Sequence, residues 1–251
     1  MHDLKPPEDK EMSLEEHLTE LRKRIIRIGI VLSLGTAFIF IFGGKLMRIF
    51  WNTLLSPNMN IYALSPMEIL VAQLTFSFVL VFLIFYPYIV YELYQFAKPG
   101  LYENERKFVK TFLPFSYLLF IVGLALAYFV IIPKVFYLSM ALGMNAEPFL
   151  SAKKTLYTAL KILVAFGLIF QIPVLAVIAV RVGLIDCNWL KEKRLIIYLA
   201  VFILATNVTL DLSGISQIIV LILVVIMYEI SIILAKIMER AGRDLNPRPR
   251  D

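Results

Sequence analysis

The sequence predicts an all-α, polytopic membrane protein with six transmembrane helices. Hydrophobic residues make up 60% of the 251-residue chain, and its mean hydropathy is +0.80, whereas soluble domains are about 45–50% apolar. Six apolar runs follow one another along the chain, and Lys and Arg residues collect on alternate connections between them. We expect a curved, concave bundle whose last two helices are short and whose termini are both cytoplasmic (N-in/C-in).

The apolar runs give the candidate helices in chain order. The first four are long enough to cross a hydrocarbon core of about 30 Å. The fifth reaches only about 21 Å at 1.5 Å per residue, and the sixth contains Glu229. These two runs form either short spans in a thinned bilayer or a re-entrant pair, and both alternatives return the C-terminus to the starting side. The six runs are residues 25–43, 69–91, 111–132, 155–180, 195–208 and 215–235.

Prolines predict that several of these helices bend. Pro87, Pro114, Pro133 and Pro173 lie in or beside apolar runs. A proline inside a helix removes one N–H donor and clashes with the preceding turn, which kinks the helix. Bent helices favour the concave bundle.

The distribution of Lys and Arg gives the orientation and the domain limits. If the N-terminus is cytoplasmic, the cytoplasmic segments hold 19 of the 25 Lys and Arg residues and the outer segments hold 5. This bias follows the positive-inside rule. We expect a cytoplasmic arm with an amphipathic helix (1–24), a six-helix membrane domain (25–240) and a disordered charged tail (241–251). The polar first 24 residues do not have the form of a cleaved signal peptide.

The composition excludes several function classes. One cysteine, Cys187, permits no intrachain disulfide, and with only His2 and His17 a His-based metal or acid–base site is not expected. The charge of +6 lies at the ends of apolar runs, so a nucleic-acid partner is not expected. Gly43-Gly44-Lys45 does not match a phosphate-binding loop. We expect neither a cofactor nor an enzymatic activity.

The arm before the first apolar run contains acidic residues beside a basic cluster, in the stretch "EEHLTELRKR". Ser13 and Glu16 have capping-box spacing, and leucines at 14, 18 and 21 fall on one helical face. An amphipathic helix that continues into the first span is therefore predicted. Glu20 precedes Arg24 by four residues, so an ion pair within the helix is one interpretation of this acid.

Three polar residues interrupt the later apolar runs, and each has a structural interpretation. Lys161 is expected to extend its amine to the outer surface, and Glu229 is expected near the cytoplasmic surface. Gln171 is the deepest and lies two residues before Pro173. Its amide either satisfies the carbonyl that Pro173 frees or contacts a substrate or a partner helix.

Two cytoplasmic motifs resemble those of the TatC family, the multi-spanning subunit of the twin-arginine protein translocase. The arm contains "HLTELRKR", which matches the family's His-Leu-x-Glu-Leu-Arg-x-Arg. The connection between the second and third runs contains "FAKPGLYENERK", which matches Phe-x-x-Pro-[Gly/Ala]-Leu-Tyr-x-x-Glu-[Arg/Lys]. "SQ" at 216–217 and "YEI" at 228–230 add a third match in the last run. The resemblance covers roughly residues 13 to 240.

The resemblance implies a receptor and scaffold that binds the Arg-Arg signal peptides of folded proteins at the cytoplasmic face. In the family, acidic residues of the arm and the loop bind the arginine pair of the signal peptide, and the corresponding residues here are Glu20 and Glu105. Their basic neighbours would keep these carboxylates ionised and positioned: Arg22, Arg24, Arg106 and Lys107. The connection between the second and third runs would shape the site and contact the signal peptide, through Phe96, Pro99, Gly100, Leu101 and Tyr102.

The resemblance also implies partners and a location. The family works in the prokaryotic cell membrane, in an oligomeric complex with single-span TatA/TatB-type subunits, and is driven by the proton-motive force. Gln171, Asp211 and Gln217 are candidate contacts with those partner helices. The family often has a glutamate where this chain has Gln171. The Thr-Pro-(Pro)-Asp pattern of the loop before the last helix is replaced here by "TNVTLDLSGISQ".

The alternative is a secondary transporter or channel for a small solute, which would need a polar site near the membrane midplane. Only Gln171 and its neighbouring proline favour it, and the sequence contains no internal repeat. An intramembrane enzyme is a third and weaker interpretation.

Overall fold

A computed structural model describes residues 14–54, 61–63, 65–141, 150–208 and 215–245. The described chain is helical, apart from two strands of two residues each. It divides into two compact units: the described residues up to Tyr117 together with 150–160 form the first, and the remaining described residues form the second. The all-α membrane class predicted from composition is confirmed. The concave shape stays a prediction.

The first helix, α1 (Leu14–Leu54), is continuous over 41 residues, about 62 Å at the usual rise. The predicted amphipathic arm therefore runs into the first span without a break. Ser13, the predicted capping residue, lies outside the described residues. Two acidic residues in the first turn, Glu15 and Glu16, complement the positive end of the helix dipole.

The second apolar run forms two helices, α2 (Pro66–Ile84) and α3 (Tyr86–Ala97). The helix breaks at Phe85 because Pro87, in the first turn of α3, has no N–H to continue the ladder. At the other end of α2 the Ser65 hydroxyl accepts a hydrogen bond from the Glu68 N–H, a side-chain cap.

The third run also departs from a regular helix. It comprises α4 (Glu103–Leu126), a π-helical turn (Ala127–Ile131) and α5 (Ile132–Ala141). Pro114 lies inside α4, and Pro133 follows the π-helical turn. Pro133 is therefore next to the irregular part of this span, whereas α4 continues past Pro114 without a break, and a bend at Pro114 stays a prediction.

The fourth run is α6 (Ala152–Ile169) and α7 (Ile172–Arg181), which are separated at Phe170 and Gln171. Pro173 lies in the first turn of α7, where its missing N–H has no helical partner to lose. A short helix, α8 (Cys187–Glu192), follows.

The last two runs differ from each other. α9 (Arg194–Val208) has 15 residues, as expected for a short span, whereas α10 (Ile215–Leu245) has 31 residues, of which Gln217–Glu239 are apolar enough to cross a membrane. α10 is longer than predicted because it continues past Glu229 into residues 241–245, which the sequence assigned to the tail. Within the described residues, five helical segments have the length and hydropathy of membrane spans.

In the first unit, α1 packs closely against α2. A Cβ added at Gly43 would lie 2.8 Å from Ser77 Oγ and 2.9 Å from Gln73 Cγ. The Gln73 amide donates to the Phe40 carbonyl of α1 at 2.8 Å. A glycine and an amide thus bring the two helices together and keep a polar group satisfied inside an apolar run.

Residues near the start of α2 also bind the start of α6. The two short parallel strands pair Ile61 with Leu150 and Tyr62 with Ser151. The Glu68 carboxylate accepts hydrogen bonds from the Ser151 hydroxyl and the Lys153 N–H. This single side chain joins the beginnings of two spans.

In the second unit, α7, α8 and α10 enclose a buried cluster. The Tyr228 hydroxyl donates to the Leu190 carbonyl at 2.7 Å. Cys187 is buried in the same cluster, and its burial raises the pKa of the thiol to about 12. The cluster consists of Ala176, Cys187, Leu190, Tyr228, Ile232 and Ala235.

Candidate functional site

The acidic arm residue Glu20 is paired within its own helix. Arg24 Nε and Nη2 both donate to Glu20 Oε1, at 3.0 and 2.5 Å. The Glu20 side chain is 22% exposed and the Arg24 side chain is 17% exposed, so water screens this pair less than a pair on an open surface. The ion pair that sequence spacing suggested is therefore present.

Arg24 is shared with a second carboxylate that sequence analysis missed, Glu92 of α3. Arg24 Nη1 donates to Glu92 at 2.9 Å, Arg27 Nη1 at 3.1 Å and the Tyr88 hydroxyl at 3.1 Å. Glu92 is only 4% exposed, and the three donors satisfy a buried charge that would otherwise be costly. We call these five residues (Glu20, Arg24, Arg27, Tyr88 and Glu92) the arm network.

The charge of Glu92 is maintained by its donors. Burial alone would raise the pKa of this carboxyl group, but hydrogen bonds from Arg27, Arg24 and Tyr88 outweigh burial and hold the pKa below its ordinary value. Glu92 is thus an anion that binds two arginines of α1.

The second oxygen of Glu20 has no such partner. Oε2 is buried, and no donor among the described residues reaches it. A buried carboxylate oxygen without a hydrogen bond costs about 1–3 kcal/mol. The arm network therefore retains one unused acceptor, on Glu20, the residue to which the resemblance gives a role in binding arginine.

The arm also contacts the second motif. The His17 ring stacks on Phe96 of α3, with centroids 4.4 Å apart and planes inclined by 28°. His17 lies one turn before Glu20, and Phe96 lies one turn after Glu92. The stacked rings and the arm network therefore join the same two helices, α1 and α3.

A tight turn follows α3 and leads into α4. Lys98–Gly100 form a 3₁₀ turn that contains Pro99, and Leu101 beyond it is 7% exposed. A Cβ added at Gly100 would have no atom within 4 Å, so a larger side chain would meet no steric clash at this position. Tyr102 is 41% exposed. The turn thus buries one apolar residue and presents one aromatic residue.

Glu105, the other predicted receptor acid, lies in the first turn of α4. It is 7% exposed, and its Oε2 accepts a hydrogen bond from the Tyr102 N–H at 3.1 Å. This is the carboxylate half of a capping box. Arg106 fixes the same turn from the other side, because its Nε donates to the Lys98 carbonyl at 2.9 Å.

The remaining residues of the predicted site are distributed along these elements. Arg22 is exposed on α1, and Phe96, Pro99 and Arg106 are half-buried. All of the residues predicted to bind the signal belong to the first unit. His17 and Phe96 join the arm to α3, and the turn after α3 carries Glu105 at the start of α4.

The predicted partner contacts lie in the second unit or beyond the described chain. Gln171 is 4% exposed, and its amide reaches the Gly167 carbonyl at 3.5 Å. The carbonyl that Pro173 frees is that of Ile169, four residues before it, so this contact is made two residues earlier than the structural interpretation expected. Gln217 is half-buried in the first turn of α10. Asp211 lies outside the described residues. Contact of these three with a partner helix stays a prediction.

Glu229 forms a second charged cluster. Arg194 Nη2 donates to its Oε2 at 2.9 Å, and the Tyr198 hydroxyl donates to its Oε1 at 2.7 Å. Both carboxylate oxygens are used. We call these three residues the α10 cluster.

Two features of the arm network were available in the sequence. Glu92 directly follows the second apolar run, and Arg24 and Arg27 lie on either side of the start of the first. Consecutive spans bring such ends to the same side of a membrane. Tyr88 precedes Glu92 by one turn. The charges could have been paired on that basis, but no spacing rule indicates that one carboxylate would hold both arginines.

Comparison with known proteins gives one consistent result. The family model described as Sec-independent protein translocase protein (TatC) matches residues 16–222. The TatC protein of Methanocella arvoryzae is 36% identical over 93% of this chain and 97% of its own length, and that of Aquifex aeolicus is 31% identical over 93% and 99%. A crystal structure described as the twin-arginine translocase receptor TatC superposes with a TM-score of 0.81 at 31% identity, over 89% of this chain and 99% of that one. The chain therefore belongs to the TatC family of protein translocase membrane components.

Proposed function

We propose that this protein is the receptor and core scaffold of a twin-arginine translocase, and that Glu20 and Glu105 bind the arginine pair of a signal peptide. The observation that carries this proposal is the buried Oε2 of Glu20, which lacks a donor among the described residues. A ligand guanidinium supplies the missing donor. The related crystal structure is that of a twin-arginine translocase receptor, which supports a receptor function for this chain.

The chemistry of the arm network favours arginine over lysine. A guanidinium is planar and can donate two parallel hydrogen bonds to one carboxylate, whereas an ammonium is a point charge. The pair that Glu20 already makes with Arg24 uses two nitrogens of one guanidinium on one oxygen. This contact supports a guanidinium as the ligand of Glu20, and an incoming arginine would occupy a similar position.

Glu105 and the turn before α4 complete the site in this proposal. The Glu105 carboxylate caps its own helix, which holds it in a defined rotamer. The exposed Tyr102 ring offers an apolar surface to the hydrophobic segment that follows the arginines in a signal peptide. A peptide bound here would meet its charged contacts first and its apolar contacts next.

The scaffold function rests on the family and on the second unit. We propose that single-span TatA/TatB-type subunits bind beside α9 and α10, with Gln217 as a contact, in an oligomeric complex of the prokaryotic cell membrane. The N- and C-termini are cytoplasmic in this arrangement. The protein hydrolyses no nucleotide, and the proton-motive force drives transport of folded cargo.

Photo-crosslinking to a synthetic signal peptide tests the receptor function. A photoreactive phenylalanine replaces the exposed Lys23 or Tyr102, and an Arg-Arg peptide is compared with its Lys-Lys twin. We expect crosslinks to the Arg-Arg peptide only, and their loss in Glu20→Gln and Glu105→Gln. Glutamine still fills the capping position of residue 105, so the second variant removes the charge and keeps the turn.

The chain offers matched controls for both acids. Glu15 is exposed in the first turn of α1, and Glu103 is exposed and pairs with Lys107 at 2.8 Å. Glu15→Gln and Glu103→Gln remove the same charge from the same helices and should leave the crosslinks unchanged. Equal crosslinking of the Arg-Arg and Lys-Lys peptides in the unaltered site would contradict the proposal and would favour the solute transporter.

A further inference from the structure

We infer that Glu92 is a positioning residue for the receptor carboxylate: it binds Arg24 so that a ligand guanidinium can displace Arg24 from Glu20. This inference rests on the proposed receptor function and extends it to a residue outside both sequence motifs. It assigns to the arm network an exchange of ion pairs instead of a fixed salt bridge.

The geometry of Arg24 supports the exchange. Its guanidinium uses Nε and Nη2 on Glu20 and Nη1 on Glu92. If a ligand binds Glu20, Arg24 keeps its contact with Glu92. The Arg24 side chain, which is only 17% exposed, is then not left as an unpaired charge. Without Glu92, displacement of Arg24 would leave that charge uncompensated, which is the costly outcome for a partly buried ion.

The charge of the arm network supports the same conclusion. Glu20 and Glu92 balance Arg24 and Arg27, so the four ionised groups sum to zero. Replacing Glu92 by a neutral residue leaves an excess positive charge beside Glu20, which repels a ligand that carries two arginines. Glu92 therefore affects the ligand both through Arg24 and through the local charge.

Arg27 and Tyr88 hold Glu92 in place for this task. Arg27 is 57% exposed and donates at 3.1 Å, and Tyr88 donates to the same oxygen at 3.1 Å. Glu92 Oε2 receives the closer contact from Arg24, at 2.9 Å. Glu92 Oε1 is thus held mainly by Arg27 and Tyr88, and Oε2 is directed to Arg24.

The test measures the affinity of the full-length protein in lipid nanodiscs for a fluorescent Arg-Arg signal peptide and its Lys-Lys twin. Glu92→Gln should weaken Arg-Arg binding by about tenfold or more. Arg24 then pairs with Glu20 alone and competes with the ligand. Adding Arg24→Gln to Glu92→Gln removes the competitor and restores neutrality, and should return the affinity to within about threefold of the unaltered protein.

The rescue distinguishes positioning from a structural effect. A Glu92 that serves only to stabilise the fold would give a double variant at least as defective as the single one, and that result would overturn the inference. Unchanged affinity in Glu92→Gln, with binding lost in Glu20→Gln, would also overturn it while the receptor function stands. If the unaltered protein does not prefer Arg-Arg over Lys-Lys, the receptor function itself is wrong and the inference falls with it.

Discussion

The arm network and the α10 cluster each pair arginine with glutamate, but they leave opposite groups unsatisfied. In the arm network the unpartnered buried atom is an acceptor, Glu20 Oε2; in the α10 cluster it is a donor, Arg194 Nε. Glu229 uses both of its oxygens within the protein. The first cluster therefore has a carboxylate oxygen left for a ligand, and the carboxylate of the second has none.

The difference shows that an Arg–Glu pair is not by itself a binding site. What matters is which partner has hydrogen-bonding capacity left after the internal contacts are made. Glu229 also pairs with an arginine, yet both of its oxygens are occupied. The sequence shows an acid and an arginine in both places but does not show which carboxylate keeps an unused oxygen.

The largest expected effect separates the two clusters by ligand binding. Glu20→Gln should weaken Arg-Arg peptide binding by about tenfold or more, because it removes the charge that the guanidinium meets. Glu229→Gln should leave peptide binding unchanged and should lower the free energy of unfolding by about 1 kcal/mol, since it breaks one partly exposed ion pair. Fluorescence anisotropy with the peptide and denaturation in detergent measure the two quantities.

Cys187 provides a control for this pair of variants. Burial raises the pKa of its thiol to about 12, so maleimide should label it slowly at pH 8 while the second unit is folded. Slow labelling in both variants confirms that neither has unfolded around Tyr228. A Glu229→Gln protein that lost peptide binding with Cys187 still protected would break the comparison.

A second, smaller effect concerns the two arginines. Arg24 contacts two carboxylates with three nitrogens, whereas Arg194 contacts Glu229 with one. A lysine can replace one contact but not three. We expect Arg24→Lys to lower the free energy of unfolding by about 2 kcal/mol and Arg194→Lys to lower it by under about 1 kcal/mol. Parallel denaturation curves in detergent measure both changes in the free energy of unfolding. Equal losses in the two variants would contradict the difference in hydrogen bonding between Arg24 and Arg194.

The smallest effect is the pH dependence that Glu92 gives to stability. Its pKa is held below the ordinary value of 4.5, so its contribution is fully present above that pH and is lost as the pH falls through the lowered pKa. The difference in melting temperature between the unaltered protein and Glu92→Gln should therefore be constant from pH 7 to pH 5. It should shrink only in more acidic solution. A difference that disappeared already at pH 6 would mean that another group controls the arm network.

Much of the fold was predictable because apolar runs and flanking charges are local properties. The order of the spans and the break near Pro173 follow from hydropathy and from missing N–H donors. The end of the last helix was harder to predict. Glu229 was expected to shorten its apolar part, but Arg194 and Tyr198 pair with that carboxylate, and the helix continues to Leu245.

The candidate site was predictable to the level of its motifs and no further. Glu20, Phe96 and Glu105 came from the two cytoplasmic motifs, whereas Glu92 lies between them in a stretch with no pattern of its own. Its importance depends on contacts with residues 65 and 68 positions away in the sequence. Only the three-dimensional arrangement reveals which oxygen of Glu20 remains free of a donor.

The unbroken α1 has a mechanical consequence. Gly35 and Gly43 both hold it closely against α2: a Cβ added at Gly35 would lie 2.7 Å from Val81 Cγ1, and one added at Gly43 would lie 2.8 Å from Ser77 Oγ. These two contacts are about 12 Å apart along the axis, and Glu20 lies about 22 Å beyond Gly35, at 1.5 Å per residue. Because two separated contacts fix the direction of a helix, α1 does not pivot about either of them alone. A displacement of the arm at Glu20 therefore moves α2 together with α1 or bends α1 between Glu20 and Gly35.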